Sequence, residues 1–347
     1  VINLITGGSG FLGQHLASIL LTRGERVRIF DINPPREIKR LSLRSHTDAS
    51  PGPNGAEFFP GSVTDPVRLR MACEGVDCVF HMAANAHLWA KDKSVYAKVN
   101  YRGTRNVLDT ARSSGVKKVV YTSSFTTLVG RRKARRVHRV DESQALGFVD
   151  LLGLYPRSKR QSEIAAMDAA SRGMSTVIGL PTMPIGPGDH GLTGPTKMIL
   201  DYVAGRTPAV LNARMNFIDV RDLADAHIAL RDKGHSGERY ILGGNDIWLA
   251  DVLKLLERIS GEKMPATRVP YILAYAVAAI DEAWSDHVSR TPPTAPLTGM
   301  RLAGRPTDFD TSKARRELGL SVRPLEHSLR DLLQWFSETG LVQRKEG

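Results

Sequence analysis

A chain of 347 residues, 41% hydrophobic and 24% charged, can bury a sizeable core without disulfides or metal, and suits one large domain with a smaller appended lobe. Its net charge of +12 suggests nucleic acid, but aromatics make up only 6% and no recognisable nucleic-acid module appears, so no nucleic-acid partner is expected. Cys73 and Cys78 fit neither a redox pair nor a zinc pattern, and are expected to be reduced packing residues in a cytoplasmic protein.

The opening VINLIT (1–6) reads as an apolar strand that enters a glycine turn at once, without the basic region of a signal peptide. No run approaches the ~18 apolar residues that a spanning helix needs. In ITGGSGFLGQHL, Gly8, Gly10 and Gly13 have GxGxxG spacing, and Gly7, Gly10 and Gly13 have GxxGxxG spacing. Following a strand and opening a helix (13–24), these glycines let the backbone turn and approach a pyrophosphate, which the helix N-terminus attracts. The next strand, RVRIFD (26–31), ends in Asp31, where a carboxylate can take both hydroxyls of an adenosine ribose and repel a 2′-phosphate. NAD is therefore expected over NADP, with Arg36, Lys39 and Arg40 near enough to soften the preference.

Helical patterns at 65–75, 99–115 and 155–173 then alternate with apolar runs at 78–83, 117–124 and 175–181. Strands alternating with helices of this length predict βαβ units and a doubly wound parallel sheet, an α/β fold of the Rossmann kind. Beyond 181 the regularity fades, with Pro- and Gly-rich stretches at 181–195 and 292–306 and helices at about 246–260, 270–287 and 325–338. The segment NFIDVRDLADAHIAL (216–230) reads as a return to the first domain. The expected division is thus a dinucleotide domain at 1–180 plus about 216–245, and a discontinuous substrate lobe at about 181–215 and 246–347.

Tyr155 and Lys159 stand at i,i+4 and share a helical face. An ammonium beside a phenol favours the phenolate, and so does an oxidised nicotinamide. YxxxK alone is common, but the strand ending YTSS brings Ser123 and Ser124 to the ligand crevice of such a sheet. Ser124 is the expected hydrogen-bond partner of the reacting oxygen, and Ser123 the structural neighbour.

These residues carry a resemblance along nearly the whole chain. TGGSGFLGQHL, VFHMAA, VNYRGTRNVLDTA, VVYTSS, YPRSK, PTMPIGPGD, NFIDVRDLADAHI and DTSKARRELGL match, in order, the blocks of the extended short-chain dehydrogenases/reductases, the NAD-dependent epimerase/dehydratase superfamily. The resemblance implies Ser124, Tyr155 and Lys159 as the catalytic set, with Tyr155 as acid/base. Lys159 would hold the nicotinamide ribose and lower the tyrosine pKa. The cofactor-binding set is then expected to be Gly7, Gly10, Phe11, Leu12, Gly13, Asp31, Ile32, Ser62, Val63, Ala83, Ala84, Asn100, Thr122, Tyr155, Lys159, Pro181 and Thr182. Ser62 departs from the pattern, standing where the family often has an adenine-binding Asp.

The opening segment, VPYILAYAVAAI and TPPTAPLTGMRLAG resemble the 3β-hydroxysteroid and sterol-4α-carboxylate dehydrogenase branch. HLWAKD and GERYILGGNDIWL are similar to dihydroflavonol-reductase-like proteins encoded with hopanoid synthesis. Both imply a polycyclic lipid substrate, and the expected reaction is NAD-dependent oxidation of a 3β-hydroxyl, with decarboxylation of a sterol 4-carboxylate. A reductase or epimerase of another small substrate and a non-catalytic NAD-binding module are the alternatives.

The apolar segment 270–284 is too short to span a bilayer, and either lies in the membrane interface at the inner face or packs on its own lobe. The basic run RRKARRVHR (131–139) is a solvated loop or an attractor of anionic lipid or acidic substrate. Dimerisation through the helices near 99–115 and 155–173 is implied by the resemblance. His81 is expected to pack rather than react, His87 and Trp89 lie in a loop able to face substrate, and the ten histidines show no metal-ligand spacing.

Overall fold

The computed structural model describes residues 1–36, 41–43, 56–131 and 137–342. Lys39, Arg40 and residues 132–136 of the basic run lie outside the described residues. The first half runs β1 (Ile2–Thr6), α1 (Phe11–Thr22), β2 (Arg26–Asp31), β3 (Leu41–Leu43), β4 (Ala56–Pro60), α2 (Pro66–Cys73), β5 (Cys78–His81), α3 (Gly103–Ser113) and β6 (Lys118–Thr122). It continues through β7 (His138–Val140), α4 (Leu154–Ser171), β8 (Thr176–Pro181), β9 (Met183–Ile185), α5 (Gly194–Val203), β10 (Arg214–Asp219), α6 (Val220–Lys233) and β11 (Arg239–Leu242). The rest comprises β12 (Asn245–Trp248), α7 (Leu249–Ser260), α8 (Tyr271–Trp284), α9 (Leu297–Ala303), β13 (Thr307–Phe309), α10 (Ser312–Leu318) and α11 (Leu325–Glu338).

Eight strands form one parallel sheet in the order β11-β8-β6-β5-β1-β2-β4-β3. Its strand order reverses at β1, which pairs with β2 on one side and β5 on the other, the place where such sheets open a ligand crevice. Both faces are covered, so β8 reads as six consecutive buried residues instead of alternating. On one face Leu16, Ala17 and Leu20 of α1 pack with Leu223, Ala224 and Leu230 of α6 and Ala314 and Leu318 of α10. On the other, Leu69 of α2, Val107 and Ala111 of α3 and Ala166 of α4 meet Leu4, Val79 and Val119. Cys73 and Cys78 are buried free thiols in this core, and burial pushes each thiol up to about 12.

The second core gathers Ile185, Ile199, Phe217, Leu253, Leu329, Leu332 and Phe336 around a three-stranded sheet ordered β12-β10-β9. The segment 216–230 divides between the two sheets. Its strand part, in β10, joins this small sheet, whereas α6 returns to pack on α1. The helix expected at 99–115 begins as a π-helical turn, Tyr96–Arg102, before α3, and places Asn100 inward at 1% exposure.

Candidate active site

The glycine turn follows from sterics. Gly7 has φ 74°, and a Cβ there would stand 2.7 Å from the Ala83 nitrogen. A Cβ on Gly13 would meet the Gly7 carbonyl oxygen at 2.6 Å, so α1 can approach β1 only without a side chain. Gly10 is more open, its nearest obstacle being the Gly7 oxygen at 3.2 Å. Asp31 closes the turn from β2: its Oδ2 accepts the Ser9 N–H at 3.1 Å and its Oδ1 the Asn33 N–H at 3.2 Å. Burial raises the Asp31 carboxyl above its ordinary value, and backbone N–H groups of Asn33, Ser9 and Ile32 oppose that shift. A bare backbone cradle at a helix N-terminus, with a carboxylate at the neighbouring strand end, fits NAD.

Of the other residues expected at the cofactor, Ala83 packs under Gly7, while Ala84 follows it beyond β5. Val63 is buried and fills the space that a side chain on Gly103 would need. Ser62 turns its hydroxyl to Thr64 at 2.8 Å, within its own loop. Phe11 stands edge-on to His15 and Leu12 is half-buried, while Ile32 is 69% exposed. Pro181 ends β8 and Thr182 is buried, its N–H donating to the Leu242 carbonyl at 3.1 Å. Thr122 is engaged twice, its hydroxyl with His227 Nε2 at 3.0 Å and its carbonyl with the Lys159 ammonium at 2.7 Å.

Asn100 joins three elements. Its Oδ1 accepts the Asn85 N–H at 2.8 Å, while its Nδ2 donates to the Asn85 carbonyl at 3.1 Å and to Ser158 Oγ at 3.0 Å. Ser162 of α4 in turn donates to the Asn100 carbonyl at 2.9 Å. The π-helical turn, the loop after β5 and α4 are thereby held in one register.

Tyr155, Ser124 and Lys159 come together at this junction. The Ser124 oxygen accepts from the Thr126 hydroxyl at 3.0 Å and from the Thr126 N–H at 3.3 Å, leaving its own hydrogen for another acceptor. That hydroxyl lies beside the Tyr155 phenol and favours its ionised form. Lys159 spends one of its three N–H bonds on Thr122 and lies 5.2 Å from the centre of the Tyr121 ring. Burial draws its ammonium down to about 7, while the Glu163 carboxylate pulls upward. The phenol departs from expectation: burial raises Tyr155 above its ordinary value, and only the Ser124 hydroxyl acts the other way. At 8% exposure the phenolate has lost its water, and that loss prevails in the chain alone.

Ser123, by contrast, donates to Glu163 Oε2 at 3.0 Å and faces away from this set. His81 uses both ring nitrogens, on Thr6 at 2.7 Å and Thr104 at 2.9 Å, and burial lowers it to about 3. It is a neutral packing group. Trp89 does not stand open to substrate: it is 8% exposed and its indole N–H donates to Asp286 at 2.8 Å. Lys93 pairs with the same carboxylate, so the loop after β5 is clasped to the turn that follows α8.

Residue types alone did not single out Tyr96, Thr126, Ser158 or Glu163. Tyr96 packs edge-on to Tyr155 with ring centres 6.5 Å apart. Glu163 was legible in principle, since it repeats the i,i+4 step from Lys159.

A parallel sheet with a glycine cradle at its switch point, and Ser124, Tyr155 and Lys159 gathered where the end of β6 meets α4, suits a nicotinamide-dependent enzyme. Residues 4–237 match the model of the 3-beta hydroxysteroid dehydrogenase/isomerase family, and the chain belongs to that family. It is similar to sterol demethylase protein B of Methylococcus capsulatus, at 31% identity over 98% of this chain and 99% of the relative. A dihydroflavonol 4-reductase-like protein of Synechocystis sp. is 33% identical over 98% of this chain and 95% of its own length. Among solved structures, gox2253 superimposes with a TM-score of 0.80 at 30% identity, covering 99% of each chain. The enzyme is an NAD-dependent oxidoreductase.

Proposed function

We propose that this enzyme oxidises the 3β-hydroxyl of a sterol or related polycyclic lipid, and that a sterol 4-carboxylate then loses CO2. The observation that carries the reading is the wall beside Tyr155. Tyr96 packs edge-on to it and donates its hydroxyl to the His87 carbonyl, and Asp286 in the turn after α8 holds Trp89 and Lys93 of that same stretch, so α8 lies beside the loop next to Tyr155. That helix is apolar almost throughout. The full-length likeness to a protein named for sterol demethylation supports the same substrate class.

Tyr155 takes the hydroxyl proton as a phenolate, helped by the positive charge of Lys159 and the Ser124 hydrogen. NAD, when bound, supplies the hydride acceptor and a cationic ring. Loss of hydride and proton leaves a C3 ketone, so the 4-carboxylate becomes that of a β-keto acid. Its C4–carboxyl bond breaks, CO2 departs, and the electron pair rests on the C3 oxygen as an enolate. The Tyr155 and Ser124 hydroxyls, already aimed at that oxygen, hold the charge until C4 takes a proton. Purified protein with NAD should convert a 4-carboxysterol to the decarboxylated 3-ketone and leave flavonoid ketones and nucleotide sugars unchanged. Turnover confined to a nucleotide sugar would sink the sterol reading.

The same reading includes contact with an anionic membrane surface. Among the described residues no helix is long and apolar enough to cross a membrane. On α8 and the turn after it, Ile272, Leu273, Val277, Ile280, Trp284 and Val288 are each more than half exposed. At 100° per residue they occupy an arc of roughly 160°. Asp281 and Glu282 turn away from that arc, accepting the Thr294 and Leu297 N–H groups at 2.7 and 2.6 Å. Exposed Arg268 and Arg290 flank the helix, a pattern suited to anionic headgroups. A homodimer through α3 and α4 completes the reading, supported by exposed Ile164 and Met167 on α4. A monomer in sedimentation at micromolar concentration would contradict that part.

A further inference from the structure

Glu163 is completely buried, yet it takes no part in the steps above. A buried carboxylate is costly unless it is paired and hydrogen-bonded, so its partners indicate what it is for. Its Oε2 accepts the Ser123 hydroxyl at 3.0 Å, and its Oε1 accepts Arg239 Nη1 at 2.9 Å and Arg160 Nη1 at 3.4 Å. Arg239 is itself anchored on the Glu142 and Gln144 carbonyls. Ser123 is bound to the sheet as well, its N–H donating to the Gly179 carbonyl at 2.7 Å. The carboxylate thus ties α4 to the end of β6, one residue before Ser124, and to β11.

It also stands one helical turn beyond Lys159. The titratable groups around that lysine are Tyr155 on its own helix, Tyr121 on β6, and His81 on β5, which is neutral. Glu163 is the charged group whose field opposes the effect of burial on Lys159. We propose that Glu163 is a positioning residue of this active site. Through Ser123 it fixes the strand end that presents Ser124, and from one turn along α4 its charge favours the ammonium of Lys159. The inference rests on the Ser/Tyr/Lys reading but not on the choice of substrate.

An ion pair that merely joined α4 to β11 would stabilise the fold without affecting the lysine. The test is therefore the titration of Lys159, read by NMR of protein carrying carbon-13 lysine, the signal being assigned by its loss in Lys159→Arg. Neither substrate nor NAD is needed, so a wrong substrate would leave this measurement intact. Glu163→Gln should lower the Lys159 midpoint by about one pH unit, a tenfold loss of the charged form above it. Glu163→Asp, which keeps the charge, should largely retain the wild-type midpoint. Should Glu163→Gln fail to fold with Arg239 unpaired, the Glu163→Gln/Arg239→Gln double variant removes both charges and should shift the same way by less. A folded Glu163→Gln with the wild-type midpoint would overturn the proposal. So would an unchanged midpoint in the double variant, where that is the one that folds.

Discussion

At the residue scale, Tyr155 carries the proposed chemistry by having one hydrogen-bonding atom in a dry place. Replacing it with Phe keeps the ring and its edge contact with Tyr96 but deletes that atom. Turnover should fall by about 10²–10⁴-fold, the usual worth of a positioned acid/base, while NAD affinity measured by calorimetry stays within a few-fold of wild type. Loss of NAD binding together with turnover would instead make Tyr155 a packing residue. Asp31 makes a different demand. Asp31→Ala should weaken NAD by roughly 10–100-fold, the cost of losing hydrogen bonds to a charged group, and narrow the margin over NADP. Equal binding of NAD by both proteins would show that the carboxylate serves only the Ser9 and Asn33 backbone.

At the scale of elements, the glycines of the turn separate into fold and ligand roles. Gly13→Ala drives a Cβ to 2.6 Å from the Gly7 carbonyl and should cost about 1–3 kcal/mol as overpacking. Gly10→Ala meets only a 3.2 Å approach, so it should leave chemical unfolding almost unchanged while weakening NAD. The reverse order of stabilities would contradict this division. On α8, Ile280→Glu with Trp284→Glu should abolish sedimentation with phosphatidylglycerol vesicles without lowering the thermal midpoint, since both side chains are exposed. Strands β1, β2, β5, β6 and β8 and helices α1, α2 and α4 were legible because their apolar runs are bounded by glycines such as Gly24 and Gly173, whereas β3, β4 and β11 of the same sheet were not singled out. Strands β7, β9 and β13 were not, since each has three residues and owes its pairing to a partner elsewhere in the chain. The π-helical turn at Asn100 was hidden for a related reason: its side-chain bonds to Asn85 and Ser158 exist only in the assembled fold. The phenol's upward shift could not be read from YxxxK spacing either, because spacing shows the lysine but not the loss of water.

At the scale of the whole molecule, two buried neutral histidines make stability depend on pH. Burial lowers His81 to about 3 and His227 to about 4, against an ordinary value of 6.5. Between those values the unfolded chain binds more protons than the folded one, so stability falls as pH drops below about 6.5. At pH 5 each histidine should have cost about 2 kcal/mol relative to neutral pH. Urea unfolding across that range checks the slope, and a flat profile would mean that the two imidazoles can be protonated in place. Lys159 acts in the same sense at higher pH: with its folded value drawn down to about 7, its contribution to stability rises from there towards 10.5. The central claim is an NAD-dependent oxidation at C3 that uses Tyr155, and the most direct test follows NADH and CO2 together. Wild-type protein given NAD and a 3β-hydroxysterol 4-carboxylate should release the two in equal amounts, and Tyr155→Phe should release almost none. NADH formation undiminished in Tyr155→Phe, or none from any polycyclic 3β-alcohol with the wild type, would contradict the account.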